Sequence, residues 1–187
     1  MAELFENRLK NFEDTVRGAQ MPVDERNCYS RYCDFIYYPS SITPGLTLAM
    51  RVCKPEHPGH ILATTHGWHM TIPAFEEYPH AVSDYLYVEV DMRGRAYSEG
   101  APDCNGWELY DVIDAVDYVK KYYAEYITDP DVVYFDAGSG GGGNAMAIAC
   151  KFPDYFAHVS ALCGISDYAL WHDGDSELGE FRDELDI

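Results

Sequence analysis

The sequence is poor in basic residues and has no long apolar run near its start. Lys and Arg total 13 against 32 Asp and Glu in 187 residues, which gives a formal net charge of −19. Such a chain repels polyanions, so nucleic acid and anionic membrane surfaces are excluded as expected partners. The first residues, MAELFENRLKNFED, place charges between the apolar positions and predict neither a secretory signal nor a membrane anchor. We therefore expect a soluble, cytoplasmic protein.

The spacings typical of common metal sites are also missing. The histidines include no HExxH pattern, and His66 and His69 stand three apart without a further ligand at a supporting spacing. No two cysteines form a CxxC pair or a zinc-finger spacing. We expect neither a metal nor a cofactor, and thiols that pack as small hydrophobic groups at three positions within apolar segments, Cys53, Cys150 and Cys163.

Two parts of different character make up the chain. Residues 1–30 predict a polar, partly helical segment, and residues 31–187 predict a single domain of short apolar runs. The first two runs, separated by the turn signal TPG, predict an antiparallel hairpin. The predicted strands are 33–41, 46–56, 61–65, 85–90, 131–136 and 158–164.

Helical patterns alternate with the later strands. Residues 105–124 form the clearest one, with Asp111 placed away from an apolar face that consists of Leu109, Val112, Val116, Val119 and Tyr123. Further helices are predicted near 73–83 and at 144–151. This alternation predicts an α/β fold with a mainly parallel, doubly wound sheet that carries an antiparallel N-terminal hairpin. No strand pattern follows residue 164, so the sheet is expected to lack its last strands.

Three loops with candidate functional residues follow successive predicted parallel strands. They are HGWHM (66–70), DMRGRAYSEG (91–100) and AGSGGGGN (137–144). The carboxyl ends of such strands lie at one edge of a sheet. The glycines Gly138, Gly140 and Gly143 match GxGxxG, which is one way to bind a dinucleotide. A phosphate loop of the Walker A type is excluded, because no Lys-Ser/Thr pair follows the glycines.

A second interpretation makes Ser139 a nucleophile on a sharp strand-to-helix turn. Such an elbow needs very small residues two positions before and two positions after the nucleophile, and Ala137 and Gly141 satisfy this. Acyl transfer also needs two backbone N–H donors for the developing oxyanion. The residue after the nucleophile and the loop after the third strand supply them, which selects Gly140 and Trp68.

The order of these segments resembles the α/β-hydrolase superfamily over residues 34–172. Within it the sequence is most similar to prolyl-oligopeptidase-like hydrolases, X-prolyl dipeptidyl peptidases, and cocaine-esterase and acetyl-xylan-esterase relatives. Asp91-Met-Arg93-Gly94 followed by Ser98-Glu-Gly100 is similar to the DxRGxxxSxG segment of that group. The resemblance implies Ser139 as the nucleophile of a serine hydrolase, an oxyanion hole from Gly140 and Trp68, and small ester or short peptide substrates.

The resemblance also shows what the chain lacks. The family places its acid after the seventh strand and its histidine after the eighth, so this chain is expected to be a partial form. Asp167 and His172, beyond the sixth strand, are the candidate substitutes, and His69 and His80, which follow the third strand, could also approach Ser139. Asp91 and Arg93 are interpreted as an ion pair.

Three functional hypotheses stay open at this point. The chain is part of an active serine hydrolase, a weak or inert homologue that serves as a binding or assembly module, or a dinucleotide-binding protein. The first predicts an exposed sheet edge after the sixth strand, covered by a missing C-terminal segment or by a second copy in a homo-oligomer.

Overall fold

The computed structural model describes residues 32–68, 70–72, 84–95, 97–103 and 106–174. In chain order the strands are β1 Cys33–Pro39, β2 Thr47–Cys53, β3 Ile61–Thr65, β4 Leu86–Asp91, β5 Val133–Gly138 and β6 His158–Leu162. The helices are α1 Glu108–Tyr122, α2 Gly140–Lys151 and α3 Tyr168–Gly174, with a 3-10 turn at Ala124–Tyr126. The predicted N-terminal segment 1–30 and the predicted helix near 73–83 lie outside the described residues.

The strands form one mixed sheet in the order β1-β2-β4-β3-β5-β6. β1 pairs antiparallel with β2, and β2 pairs antiparallel with β4. The pairs β4–β3, β3–β5 and β5–β6 are parallel. Of the six described strands only β2 is reversed, which confirms the predicted N-terminal hairpin and the mainly parallel sheet. The three loops that follow β3, β4 and β5 therefore meet at one edge of the sheet.

The core lies between the sheet and two helices on one of its faces. α1 contacts β1, β3 and β4, α2 contacts β3, β5 and β6, and the two helices touch each other. Alternate strand residues, including Ala63, Val88 and Phe135, are fully buried. The predicted apolar face of α1 is confirmed, because all five of its residues are buried. This packing holds the start of α2, which directly follows Ser139, against the end of β3.

Some predictions about individual residues and boundaries are wrong. Asp111, predicted on the polar face of α1, is fully buried because it pairs with Arg93. Cys150 and Cys163 are exposed, whereas Cys53 is buried as predicted. α2 begins at Gly140 and not at residue 144, because close packing holds its glycine-rich first turn in a helix that intrinsic propensity does not favour.

Candidate active site

Ser139 occupies the turn between β5 and α2 in a backbone conformation that residues other than glycine rarely adopt. Its φ is 57° and its ψ is −123°, and holding such a residue there costs on the order of 1–3 kcal/mol. Two hydrogen bonds hold the turn: the Ser139 N–H donates to the Leu162 carbonyl at 2.9 Å, and the Gly143 N–H donates to the Ser139 carbonyl at 3.2 Å. The Ser139 residue itself is exposed at the tip of this turn.

The glycines after Ser139 are required by close contacts with the protein's own chain. A Cβ on Gly141 would lie 2.7 Å from the Thr65 hydroxyl oxygen, and a Cβ on Gly142 would lie 2.8 Å from the Leu162 carbonyl oxygen. These contacts pack the first turn of α2 closely against the ends of β3 and β6. The GxGxxG interpretation of Gly138, Gly140 and Gly143 stays a prediction.

Trp68 and Gly140 come together beside Ser139. A Cβ on Gly140 would lie only 2.5 Å from the Trp68 backbone nitrogen. A Cβ on Gly67 would lie 3.8 Å from Cβ of Ser139. The Gly140 N–H belongs to the first turn of α2, where backbone donors have no partner within the helix. The structure thus brings the serine and both predicted oxyanion-hole residues to one place.

His66 fixes the direction of the Gly67–Trp68 peptide. Its Nδ1 lies 2.8 Å from the Gly67 carbonyl oxygen, and its Nε2 accepts the Met92 N–H at 3.2 Å. This pattern requires a neutral ring with its proton on Nδ1, and burial lowers the pKa of His66, although the nearby Asp91 opposes that shift. In a trans peptide the carbonyl and the next N–H point in opposite directions. The contact with His66 therefore turns the Trp68 N–H away from His66.

The loop after β4 is held by a network that differs from the predicted Asp91–Arg93 ion pair. The Arg93 guanidinium instead donates two hydrogen bonds to Asp111 on α1, at 3.0 and 2.5 Å, and the Arg93 backbone N–H donates a third at 3.2 Å. Burial raises the pKa of Asp111, and the hydrogen bonds from Arg93 oppose that rise. The Asp91 carboxylate accepts the Thr71 hydroxyl at 2.7 Å and the Ser98 N–H at 3.0 Å. The predicted pair is wrong because the Asp91 carboxylate binds its own loop and Thr71 from the segment after β3, while Arg93 reaches the helix.

A narrow polar pocket opens beside Trp68 and Gly140. The other residues that line it are Met92, Arg93, Arg95, Asp103, Glu108 and Asn144. Burial, and next the carboxylate of Asp103, raise the pKa of Glu108 well above its usual value. No sequence motif predicts Arg95, Glu108 or Asn144 as site residues, because they come from three separate segments. The acidic residue at the first position of α1 is the sequence signal that could have indicated Glu108.

Two of the candidate catalytic partners lie at α3: Asp167 directly before it and His172 within it. The Asp167 carboxylate accepts the Leu170 N–H at 2.8 Å, so in this structure it caps the helix. Trp171 of the same helix packs edge-on against Trp68, with ring centroids 5.4 Å apart. His172 follows Trp171 on this helix, and its side chain is outside the description. The helix therefore lies next to Trp68, while the roles of Asp167 and His172 as acid and base stay predictions.

Two other described histidines lie at the opposite end of the sheet from Ser139. His60 immediately precedes β3 and His158 begins β6, which places both at the amino ends of parallel strands, opposite the site. His69 and His80 lie outside the described residues. Within the ranges that the structure describes, no group of three or more His, Cys, Asp or Glu side chains could hold a metal ion. No helix in that same part of the chain is long and apolar enough to cross a membrane.

Comparison with known proteins agrees with this architecture. The chain is 26% identical over 179 residues to feruloyl esterase B from Talaromyces funiculosus, covering 91% of this chain and 43% of the esterase. The fold is similar to Pyrococcus horikoshii acylaminoacyl peptidase, with a TM-score of 0.61 at 17% identity over 81% of this chain and 26% of the peptidase. A prolyl endopeptidase structure gives a TM-score of 0.58 at 18% identity over 81% of this chain and 23% of the endopeptidase. The chain thus spans less than half the length of these relatives.

The family assignment comes from a match that covers more than half of the sequence. Residues 73–185 match the Prolyl oligopeptidase family. The mixed sheet, its strand order and the similar solved folds agree with the α/β-hydrolase architecture of serine hydrolases. The chain belongs to the prolyl oligopeptidase family and forms the N-terminal part of an α/β-hydrolase fold.

Proposed function

We propose that this chain carries the nucleophile and the oxyanion hole of a serine hydrolase that cleaves ester or peptide bonds through an acyl-enzyme. The observation that carries the proposal is Ser139 itself, an exposed serine in a strained conformation between β5 and α2. Strained backbone concentrates at functional sites. The nearness of Trp68 to Gly140 supports the proposal, because both donors of an oxyanion hole then lie beside the serine.

In the proposed mechanism the Ser139 hydroxyl oxygen attacks the scissile carbonyl carbon while a base takes its proton. The negative charge that develops on the carbonyl oxygen is stabilised by the N–H groups of Gly140 and Trp68. Each donor of this kind contributes on the order of 10²–10³ in rate. The leaving alcohol or amine departs with a proton from the base, and water then hydrolyses the acyl-enzyme and frees the serine.

The base is proposed to lie outside the described side chains, and Asp167 stays a candidate for the acid. His66 is unsuited to the role, since both of its ring nitrogens make hydrogen bonds within the protein. His172 on α3 is one candidate. The other is a segment that extends the sheet beyond β6, which the greater length of the relatives supports.

The substrate is proposed as an ester or a short peptide. The sequence relative is named a feruloyl esterase, and the structural relatives are an acylaminoacyl peptidase and a prolyl endopeptidase. We favour esters, because the feruloyl esterase shares sequence with 91% of this chain. A net charge of −19 favours neutral or positively charged substrates over anions.

A fluorophosphonate probe followed by intact mass spectrometry tests the nucleophile. One adduct is expected, located on Ser139, and Ser139→Ala should abolish it. Ser41→Ala is the matched control, because Ser41 is exposed but lies in the loop after β1, and this variant should label like the wild type. An adduct only on a version extended at the C-terminus would place the base beyond residue 187. Absence of any adduct on both versions would overturn the proposal in favour of an inert binding module.

A further inference from the structure

Cys33 and Cys53 face each other across the hairpin of β1 and β2. They are direct partners in the antiparallel register, and their sulfur atoms lie 3.1 Å apart. Both residues are buried, each with 1% of its surface exposed. Directly opposed residues in antiparallel strands have Cα atoms about 4.5–5.5 Å apart, which is within the range that a disulfide spans.

We propose that Cys33 and Cys53 form a disulfide that joins β1 to β2. The two thiols lose their hydrogen atoms and the S–S bond forms, while a small-molecule disulfide such as oxidised glutathione is reduced to two thiols. The sulfur atoms need to approach by only about 1 Å to reach the covalent distance, which small side-chain rotations provide. This disulfide would lie at the start of β1 and the end of β2, at the opposite end of the sheet from the loops after β3, β4 and β5.

The surroundings hold the two strands in this register. Lys54, next to Cys53, forms an ion pair with Asp34, next to Cys33, at 2.8 Å. The Tyr123 hydroxyl donates to the same Asp34 carboxylate at 3.0 Å, and the Lys54 N–H donates to the Tyr32 carbonyl at 2.5 Å. Because contacts on both sides fix the strands, the cysteines have little freedom to separate, which favours their pairing over exchange with other thiols.

The buried thiols react slowly while the native hairpin is closed. The hydrogen bond with Cys33, together with burial, raises the pKa of Cys53, and the thiolate is the species that attacks a disulfide. The bond is therefore expected to form during folding or when the edge strand β1 opens. By the same reasoning, the exposed Cys150 and Cys163 should react with alkylating agents much faster than this pair.

The proposed disulfide lies at the opposite end of the sheet from the proposed catalytic site. Cys53 is opposite Tyr87 at the amino end of β4, whereas Ser139 lies at the carboxyl end of β5. Oxidation should raise thermal stability without changing the rate at which Ser139 is labelled. A reducing thiol pool would keep such a pair open, so its state in freshly alkylated cell extracts also tests whether the protein resides in the cytoplasm.

The test refolds the chain in a glutathione redox buffer and compares three proteins: wild type, the double variant Cys33→Ala/Cys53→Ala, and the control Cys150→Ala/Cys163→Ala. Non-reducing peptide mapping should find a cross-linked peptide pair containing Cys33 and Cys53 in the wild type and the control. The oxidised wild type should melt roughly 6–12 °C above its reduced form. The double variant should melt at the same temperature in both buffers.

Two results would overturn the proposal. One is a wild type that keeps both thiols free after refolding in excess oxidised glutathione. The other is a cross-link from Cys33 or Cys53 to a different cysteine. Since thiol mapping and melting need no catalysis, this test stands whether or not Ser139 proves to be a nucleophile.

Discussion

Gly138 and Gly140 flank Ser139 and have very different surroundings. A Cβ on Gly138 would find its nearest atom 3.6 Å away, at the Leu162 carbonyl oxygen. A Cβ on Gly140 would lie 2.5 Å from the Trp68 nitrogen and 3.0 Å from the Trp68 Cα. An added methyl group is therefore tolerated before the serine, but after it the methyl group must displace the Trp68 backbone.

The variant Gly140→Ala is expected to lose activity through this displacement. Moving the Trp68 N–H out of the oxyanion hole should lower the rate by on the order of 10²–10³. The matched control Gly138→Ala should keep the wild-type rate. The measurement is the rate of fluorophosphonate labelling of Ser139. Equal losses in both variants would contradict the proposed hole and point to a general intolerance of side chains in this turn.

Glu108 is a second residue whose environment decides its charge. Burial and the neighbouring Asp103 raise its pKa, and its Oε2 has no hydrogen-bond partner among the described residues. A carboxyl group with a raised native pKa stabilises the fold below the unfolded-state pKa, near 4.5. This stabilisation is lost as the pH rises through the native pKa, since the unfolded chain ionises more easily.

The variant Glu108→Gln should remove this pH dependence, because the amide is neutral at every pH. Urea unfolding should show Glu108→Gln more stable than wild type by about 1–3 kcal/mol at about pH 8, and by much less at about pH 5. Glu125→Gln, on the exposed 3-10 turn, is the control and should change little at either pH. A gain of equal size at both pH values would show that ionisation of Glu108 is not the cause.

At the scale of elements, the sequence predicted the strands and α1 well because their signals are local. Apolar runs and helical spacing identify β3, β5 and the buried face of α1. The start of α2 was placed too late, because the glycines of its first turn are weak helix formers and are held there by contacts with β3 and β6. The partner of Arg93 was missed for a related reason, since Asp111 lies 18 residues away on another element.

The same reasoning explains which part of the candidate site was predictable. Ser139, Trp68 and Gly140 belong to motifs whose spacing indicates acyl transfer, and the fold brings those motifs together. The polar pocket combines Arg95, Glu108 and Asn144 from separate segments. No local pattern links these residues, because only the packing of the β4 loop against α1 and α2 makes them neighbours.

Replacement of Asp111 tests the bond between the β4 loop and α1. Asp111→Asn leaves the buried Arg93 guanidinium without its carboxylate, and we expect a loss of about 3–5 kcal/mol in the free energy of unfolding. Asp117→Asn on the same helix is the control: Asp117 is exposed and accepts one hydrogen bond, from Tyr155. Its loss should be about 1 kcal/mol or less. Similar losses in the two variants, measured by urea unfolding, would contradict the assignment of the Arg93 partner.

For the whole molecule, the most consequential feature is the edge of the sheet at β6. Within the described residues β6 pairs only with β5, and Leu162 at its end is 67% exposed. An uncovered edge strand invites pairing with another chain. The relatives are more than twice as long as this chain, which supports a further segment of the same protein as the cover.

Amide hydrogen exchange can identify what covers this edge. In the 187-residue chain at low concentration, β6 amides should exchange much faster than those of β3, which lies between two strands, because an edge strand opens without disrupting the core. In a version extended at the C-terminus, β6 should become as protected as β3. Protection of the 187-residue chain that rises with its concentration would instead identify a second copy as the cover. Strong protection at every concentration without the extension would contradict an open edge.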